Sequence, residues 1–230
     1  MSIAKNIEEI RARIDAAAKR SGRTGEDITL LAVSKTVDLP RIREAVDAGL
    51  GELGENRVQE LMQKYDEIGR NVEWHLIGTL QKNKVKYIIG KVKLVHSLCT
   101  QPVAEEMQRL CVRDDTSIDV LVEVNVTGEQ SKSGVPIAQA KEFIRSLEPL
   151  DRINVKGLMT IAEYSPDPED SRACFRTLKQ LFDELKAEER EHMHMQYLSM
   201  GMSGDFEVAV EEGANIVRVG SAIFGERVYN

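Results

Sequence analysis

At 230 residues, with 42% apolar and 30% charged side chains, the chain can bury a core without cross-links and has the balance of an ordinary globular protein. A net charge of −7 argues against a nucleic-acid partner, and no run is long and apolar enough for a membrane span or signal segment. Cys99, Cys111 and Cys174 are odd in number and form no CxxC pair, which points to reduced thiols and a cytoplasmic setting.

Ile3, Ile7, Ile10 and Ile14 recur at helical spacing and predict a helix over 3–20, ended by Ser21 and Gly22. Beyond residue 28, short apolar runs alternate with longer amphipathic stretches. The strand candidates are 30–34, 52–53, 74–77, 94–96, 120–126, 155–159, 196–198 and 216–219. Helices are predicted between them, for example over 40–48, 57–68, 102–113, 138–147 and 170–191. Pro40, Pro102 and Pro136 stand at or just before helix starts, where a missing N–H costs little.

Strands alternating with helices imply parallel pairing through right-handed crossovers. About eight such units predict an α/β fold, a single (β/α)8 TIM-type barrel with an extra N-terminal helix. The expected domain is 1–230 as one unit, with 1–28 forming the helix and its lead-in. An open doubly wound sheet is the alternative. Against it, no GxGxxG follows the first strand and no Pro/Gly/Ser-rich linker divides the chain.

In a barrel, the carboxyl ends of the strands build the site, and the loops after the last two commonly hold phosphate. "LSMGMSGD" (198–205) and "VRVGSAIFG" (217–225) each run from a strand through glycine and serine into a helical stretch. Glycines let backbone N–H groups approach a ligand, and a helix start adds partial positive charge. Each could equally be an ordinary strand-to-helix turn; two in these positions favour phosphate. Lys35, at the end of "LLAVSK", shares its strand face with Leu31 and Val33. Two readings stand for it: an amine snorkelling to the barrel mouth, or one that attacks a carbonyl and holds it as a Schiff base.

Arg218 sits inside an apolar strand and calls for a barrel carboxylate as partner, unless a ligand occupies it. His75, beside Trp74, reads as a satisfied core histidine, and His192 and His194 as solvated side chains. No metal-ligand cluster, GxSxG elbow or Walker loop is found.

Taken together, "AVSKT", "GENRVQE", "WHLIGTLQKNK", "VEVNVTGEQSKSG", "KGLMTI", "LSMGMSGD" and "IVRVGSAIFGER" resemble the pyridoxal phosphate homeostasis protein family, relatives of the barrel domain of alanine racemase. The resemblance runs from about residue 30 to 227. It implies a protein that binds pyridoxal 5′-phosphate (PLP) and balances vitamin B6 and amino-acid pools without established turnover. By the same resemblance, Lys35 forms the Schiff base and Arg218 faces the pyridine nitrogen. Ser203, Gly204, Gly220 and Ser221 cradle the phosphate, and Asn56, Met200 and Gly201 fall in segments that line the cofactor. Roles for His75 and Lys132 do not follow from it. One departure is Thr79, where many relatives carry proline.

PLP works by draining electrons into a protonated ring. A guanidinium keeps its proton, so Arg218 would leave the ring neutral and the sink weak. Alanine racemase also has an arginine there, together with a tyrosine base from a second domain. With the chain ending at Asn230 we expect no such domain and an open, wet face. Three functions remain in view. The first is a PLP carrier, acting as a monomer or weak dimer, with apo PLP enzymes as transient recipients and no membrane or nucleic-acid partner. The second is a slow PLP-dependent amino-acid racemase, its base coming from Tyr164, Tyr229 or a partner chain. The third is a phosphosugar-type barrel enzyme in which Lys35 is only structural.

Overall fold

Ser2 starts the first helix, its hydroxyl accepting from the Lys5 N–H at 3.3 Å. This helix, α1 (Ile3–Arg20), buries the predicted isoleucine stripe together with Ala17 and Ala18. The computed structural model describes residues 2–129, 133–188 and 191–225. From Thr29 onward the chain alternates strand and helix as the sequence predicts.

The strands are β1 (Thr29–Val33), β2 (Glu52–Glu55), β3 (Glu73–Leu76), β4 (Leu94–Leu98), β5 (Ile118–Asn125), a two-residue β6 (Val135–Pro136), β7 (Ile153–Met159), β8 (Met193–Ser199) and β9 (Ile216–Val219). All pairings are parallel; β1 joins β9 and β4 joins β5, so eight strands close into a barrel with β6 as a spur on β5. The (β/α)8 expectation therefore holds, and the open sheet does not. The helices are α2 (Leu39–Asp47), α3 (Val58–Ile68), α4 (Gln101–Arg113), α5 (Ile137–Ser146), α6 (Arg172–Lys186), α7 (Phe206–Glu211) and α8 (Ser221–Phe224). A 3₁₀ segment, Lys82–Tyr87, takes the place of a full helix after β3.

Two differences from the sequence reading have local causes. The stretch 170–191 is not one helix: a 3₁₀ turn (Pro168–Ser171) leads into α6, which stops at Lys186. β8 begins at Met193, so His194 lies on a strand with its side chain exposed, and His192 sits in the preceding turn at φ 62°. At Gly157 the β5–β7 and β7–β8 registers slip. A Cβ there would stand 1.8 Å from the Tyr197 carbonyl oxygen, so the bulge excludes any other residue.

Side chains alternate along the strands. One set fills the layer between barrel and helices; the other fills the barrel itself with Leu31, Val33, Ile77, Leu94, Leu121, Met159 and Ile216. The extra helix α1 braces the last two units. Arg13 and Arg20 pair with Glu207 and Glu211 at 2.6 Å, and Asn6 Nδ2 donates to the Ile223 carbonyl of α8 at 2.8 Å. The N-terminal helix thereby contacts α7 and α8, the helices that follow the two turns expected to hold phosphate. Among the described residues no helix is long and apolar enough to cross a membrane.

Candidate functional site

At the carboxyl ends of the strands lies a cleft of about 310 Å³. Lys35, Asn56, Ser203, Gly204, Arg218, Gly220 and Ser221, seven of the nine residues singled out above, line it. The other two stand behind it. Met200 is fully buried in the layer facing the helices, and Gly201, at φ 90°, accepts from the Arg218 N–H through its carbonyl at 3.0 Å. Lys132 and Tyr229 lie outside the described residues.

Lys35 is carried not on β1 but on the turn just after it. Thr36 has φ 63°, an unusual conformation for a β-branched residue, and its N–H donates to Glu60 Oε1 at 2.6 Å. The turn is held from below as well. Lys64 is buried, and its Nζ donates to the Ser34 carbonyl at 2.7 Å, to Glu55 Oε1 at 2.8 Å and to Glu60 Oε1 at 2.7 Å. Ser34 Oγ donates to the same Glu55 oxygen at 2.7 Å. Burial pushes the Glu55 carboxyl up against the bonds from Lys64 and Ser34 that favour its charge. Glu55, Glu60 and Lys64 thus fix the strained turn that presents Lys35. The "GENRVQELMQK" stretch carries all three, but sequence spacing alone did not reveal their convergence.

The two glycine–serine turns meet at Ser203, whose Oγ accepts from the N–H groups of Gly220 at 3.2 Å and Ala222 at 3.4 Å. At Gly220 a Cβ would stand 3.2 Å from the Val33 carbonyl oxygen, a tight contact. Asp205 closes the first turn by accepting from the Met202 N–H at 2.6 Å and from Ser171 Oγ at 3.1 Å. Asn56 Oδ1 is a buried acceptor with no partner among the described residues, a state that costs free energy until a donor arrives.

Arg218 is buried, and its hydrogen-bond partners are not the barrel carboxylate the sequence suggested. Nη1 donates to Ser199 Oγ at 2.7 Å and Nη2 to the Thr160 carbonyl at 2.8 Å. Burial brings its pKa down to about 10 against the charges of Asp205 and Glu123, so it remains a cation at neutral pH. His75 is a satisfied core histidine as expected, bonded to Glu52 and to His96, a residue that sequence reasoning passed over.

His96 is fully buried, and burial, then repulsion between a His96 cation and Arg218 or a protonated His75, holds its pKa well below 6.5. The unfolded chain binds a proton there near 6.5 that the fold refuses. Stability is therefore complete above that pH and falls below it, by up to ~1.4 kcal/mol per pH unit for one proton. His96→Gln is expected to flatten this part of the acid slope in urea unfolding measured across pH. An unchanged slope would show that His96 does not contribute.

The chain matches the family model "Alanine racemase, N-terminal domain" over residues 5–228. A pyridoxal phosphate homeostasis protein of Aquifex aeolicus (strain VF5) is 46% identical over 230 residues, 100% of both chains. The solved structure of PipY from Synechococcus elongatus with PLP bound is similar at 30% identity and a TM-score of 0.85, over 97% of this chain and 100% of that one. Alanine racemase from Corynebacterium glutamicum shares the fold at 17% identity, with a TM-score of 0.71 over 98% of this chain and 61% of that one.

Proposed function

The chain belongs to the pyridoxal phosphate homeostasis protein family, built on the alanine racemase N-terminal domain, and from that premise we propose that it binds PLP as a Schiff base on Lys35 and holds the cofactor for delivery rather than for turnover. The observation that carries this reading is the convergence of one amine, one guanidinium and a serine–glycine cradle on one cleft, from strands far apart in sequence. The donor set fits an anionic aldehyde, and the orphaned Asn56 Oδ1 offers an acceptor for a ligand N–H or O–H. Bound there, PLP would supply an aldehyde for Lys35 and a conjugated ring able to draw electrons from an attached amine.

The chain's own residues argue for a quiet site. Arg218 can donate a hydrogen bond to the ring nitrogen but not a proton, which keeps the ring neutral. Ile161, Tyr164 and Met202 at the rim are exposed, so water reaches the open face. Incubating loaded protein with apo PLP enzymes tests delivery; transfer faster than free dissociation is expected, and transfer no faster than dissociation contradicts it. A slow racemase is the second reading, favoured by Tyr164 at the cleft, a residue 90% exposed. Racemisation of an amino-acid panel at ordinary enzymatic rates would establish it in place of the carrier.

The phosphate makes a separate prediction. Ser203, with the backbone of Gly204, Gly220 and Ser221, would bind the dianion through charge-assisted hydrogen bonds worth roughly 1.5–3 kcal/mol each. Ser203→Ala is expected to weaken PLP binding about ten- to a hundredfold and to leave pyridoxal binding nearly unchanged. Equal losses for PLP and pyridoxal would place the phosphate elsewhere.

A further inference from the structure

The interior of this barrel is not uniformly apolar. Side chains from five strands form a continuous polar line between its two ends. Lys93 Nζ donates to Glu52 Oε1 at 2.7 Å, and Glu52 Oε2 is bonded to His75 Nε2. His75 Nδ1 meets His96 Nε2 at 2.8 Å, and His96 Nδ1 meets Ser199 Oγ at 3.0 Å. Ser199 Oγ accepts from Arg218 Nη1 at 2.7 Å. His75, His96, Ser199 and Arg218 are buried, and the Glu52 side chain is 23% exposed at the amino-end mouth.

The ends of this line dictate its direction. A carboxylate only accepts and a guanidinium only donates. With Glu52 as acceptor, His75 must carry its proton on Nε2 and accept on Nδ1. His96 must then donate from Nε2 and accept on Nδ1, and Ser199 must give its hydroxyl proton to His96. That leaves the Ser199 lone pairs turned to Arg218. Neutral rings in this one tautomeric order satisfy every polar atom of the line, as a buried network requires. The hydrogen bonds from His75 and Lys93 also hold the Glu52 carboxyl below its usual range, against burial that pushes it up.

We propose that Glu52, His75, His96 and Ser199 are positioning residues for Arg218: a one-way hydrogen-bond relay that keeps Ser199 an acceptor and so aims the guanidinium at the cleft. One proton added at the Glu52–His75 end reverses the donors as far as Ser199, whose oxygen then accepts from both His96 and Arg218 while its own proton loses the His96 acceptor. The amino-end mouth, where Glu52, Lys93, Asp119 and Tyr197 face the relay, is thereby coupled to the cofactor face, where Glu123, Asp205 and Arg218 lie. The consequence for the cofactor rests on the reading of Arg218 given above; the relay itself does not.

The test is ¹⁵N NMR of the imidazole and guanidinium groups in cofactor-free protein at neutral pH. Both His75 and His96 are expected as the Nε2–H tautomer. Glu52→Leu, which removes the terminal acceptor, is expected to abolish the single-tautomer pattern of His96 and shift the Arg218 guanidinium signals. Glu52→Gln, which keeps an acceptor, is expected to rescue both. An Nδ1–H tautomer at His96 in the parent overturns the relay, as does a Glu52→Leu spectrum unmoved at His96 and Arg218. If Glu52→Leu does not fold, the parent tautomers and the Glu52→Gln spectrum decide alone. PLP titrated into the same samples separates the two readings. Correct tautomers without PLP binding retain the relay and sink the cofactor reading; PLP binding with the wrong tautomers does the reverse.

Discussion

Lys35→Ala is expected to abolish the aldimine absorption band of PLP-loaded protein and to leave no covalent adduct for borohydride to fix, while part of the affinity for PLP survives. Among the described residues of the cleft wall, this amine is the group able to form a reducible bond to an aldehyde, since Arg218 keeps its guanidinium proton and has two bonded partners. The phosphate contacts do not depend on Lys35, so equilibrium dialysis should still detect bound PLP. A variant that keeps the full visible band would show that another lysine holds the cofactor. Complete loss of PLP in dialysis would instead show that the cradle contributes nothing by itself.

Lys64→Met is expected to cost about 3–5 kcal/mol of stability at neutral pH, read from urea unfolding, because it strands Glu55 as a buried carboxylate without its cation. The Glu55 side chain is 0% exposed and its Oε2 already has no partner among the described residues. Burial raises the Glu55 pKa, so the deficit has a definite sign with pH. Below the ordinary carboxyl range the group is protonated in both states and the deficit shrinks; as pH rises through the folded pKa it grows to its full size. Adding Glu55→Gln to Lys64→Met should recover much of the loss. Because Lys64 also holds the Ser34 carbonyl, the single variant should weaken the PLP adduct as well. A deficit below 1 kcal/mol, near the value of an exposed pair, would mean that the cluster is not anchoring the turn.

The parts of the site that were legible in the sequence are those carried by contiguous motifs. Ser203, Gly204, Gly220 and Ser221 were visible because each pair ends an apolar run with residues that only a turn or a ligand explains. Lys35 stood out for the same reason, and it lines the cleft together with Val33. What parity could not give was the turn: β1 ends at Val33, and the strained Thr36 is stabilised by Glu60 and Lys64 from α3. Such contacts depend on how α3 lies against β1, which no local pattern encodes.

The relay was illegible for a related reason. His96 and Ser199 are separated by 103 positions and meet only because the barrel closes. A signal did exist. Glu52, His75, His96, Ser199 and Arg218 each stand on the inward-facing set of a strand, and a polar residue at such a position on five strands is improbable without mutual pairing. Met200 shows the converse. It follows inward-facing Ser199, so alternation turns it toward the helices, where it is buried in the outer layer.

Peptide mapping after borohydride reduction of the PLP-loaded protein addresses the central claim most directly. The cleft geometry predicts the phosphopyridoxyl group on Lys35 alone, at one per chain. A group found instead on Lys82, Lys84 or Lys132, with Lys35 unmodified, would contradict the assignment of the cleft as the cofactor site.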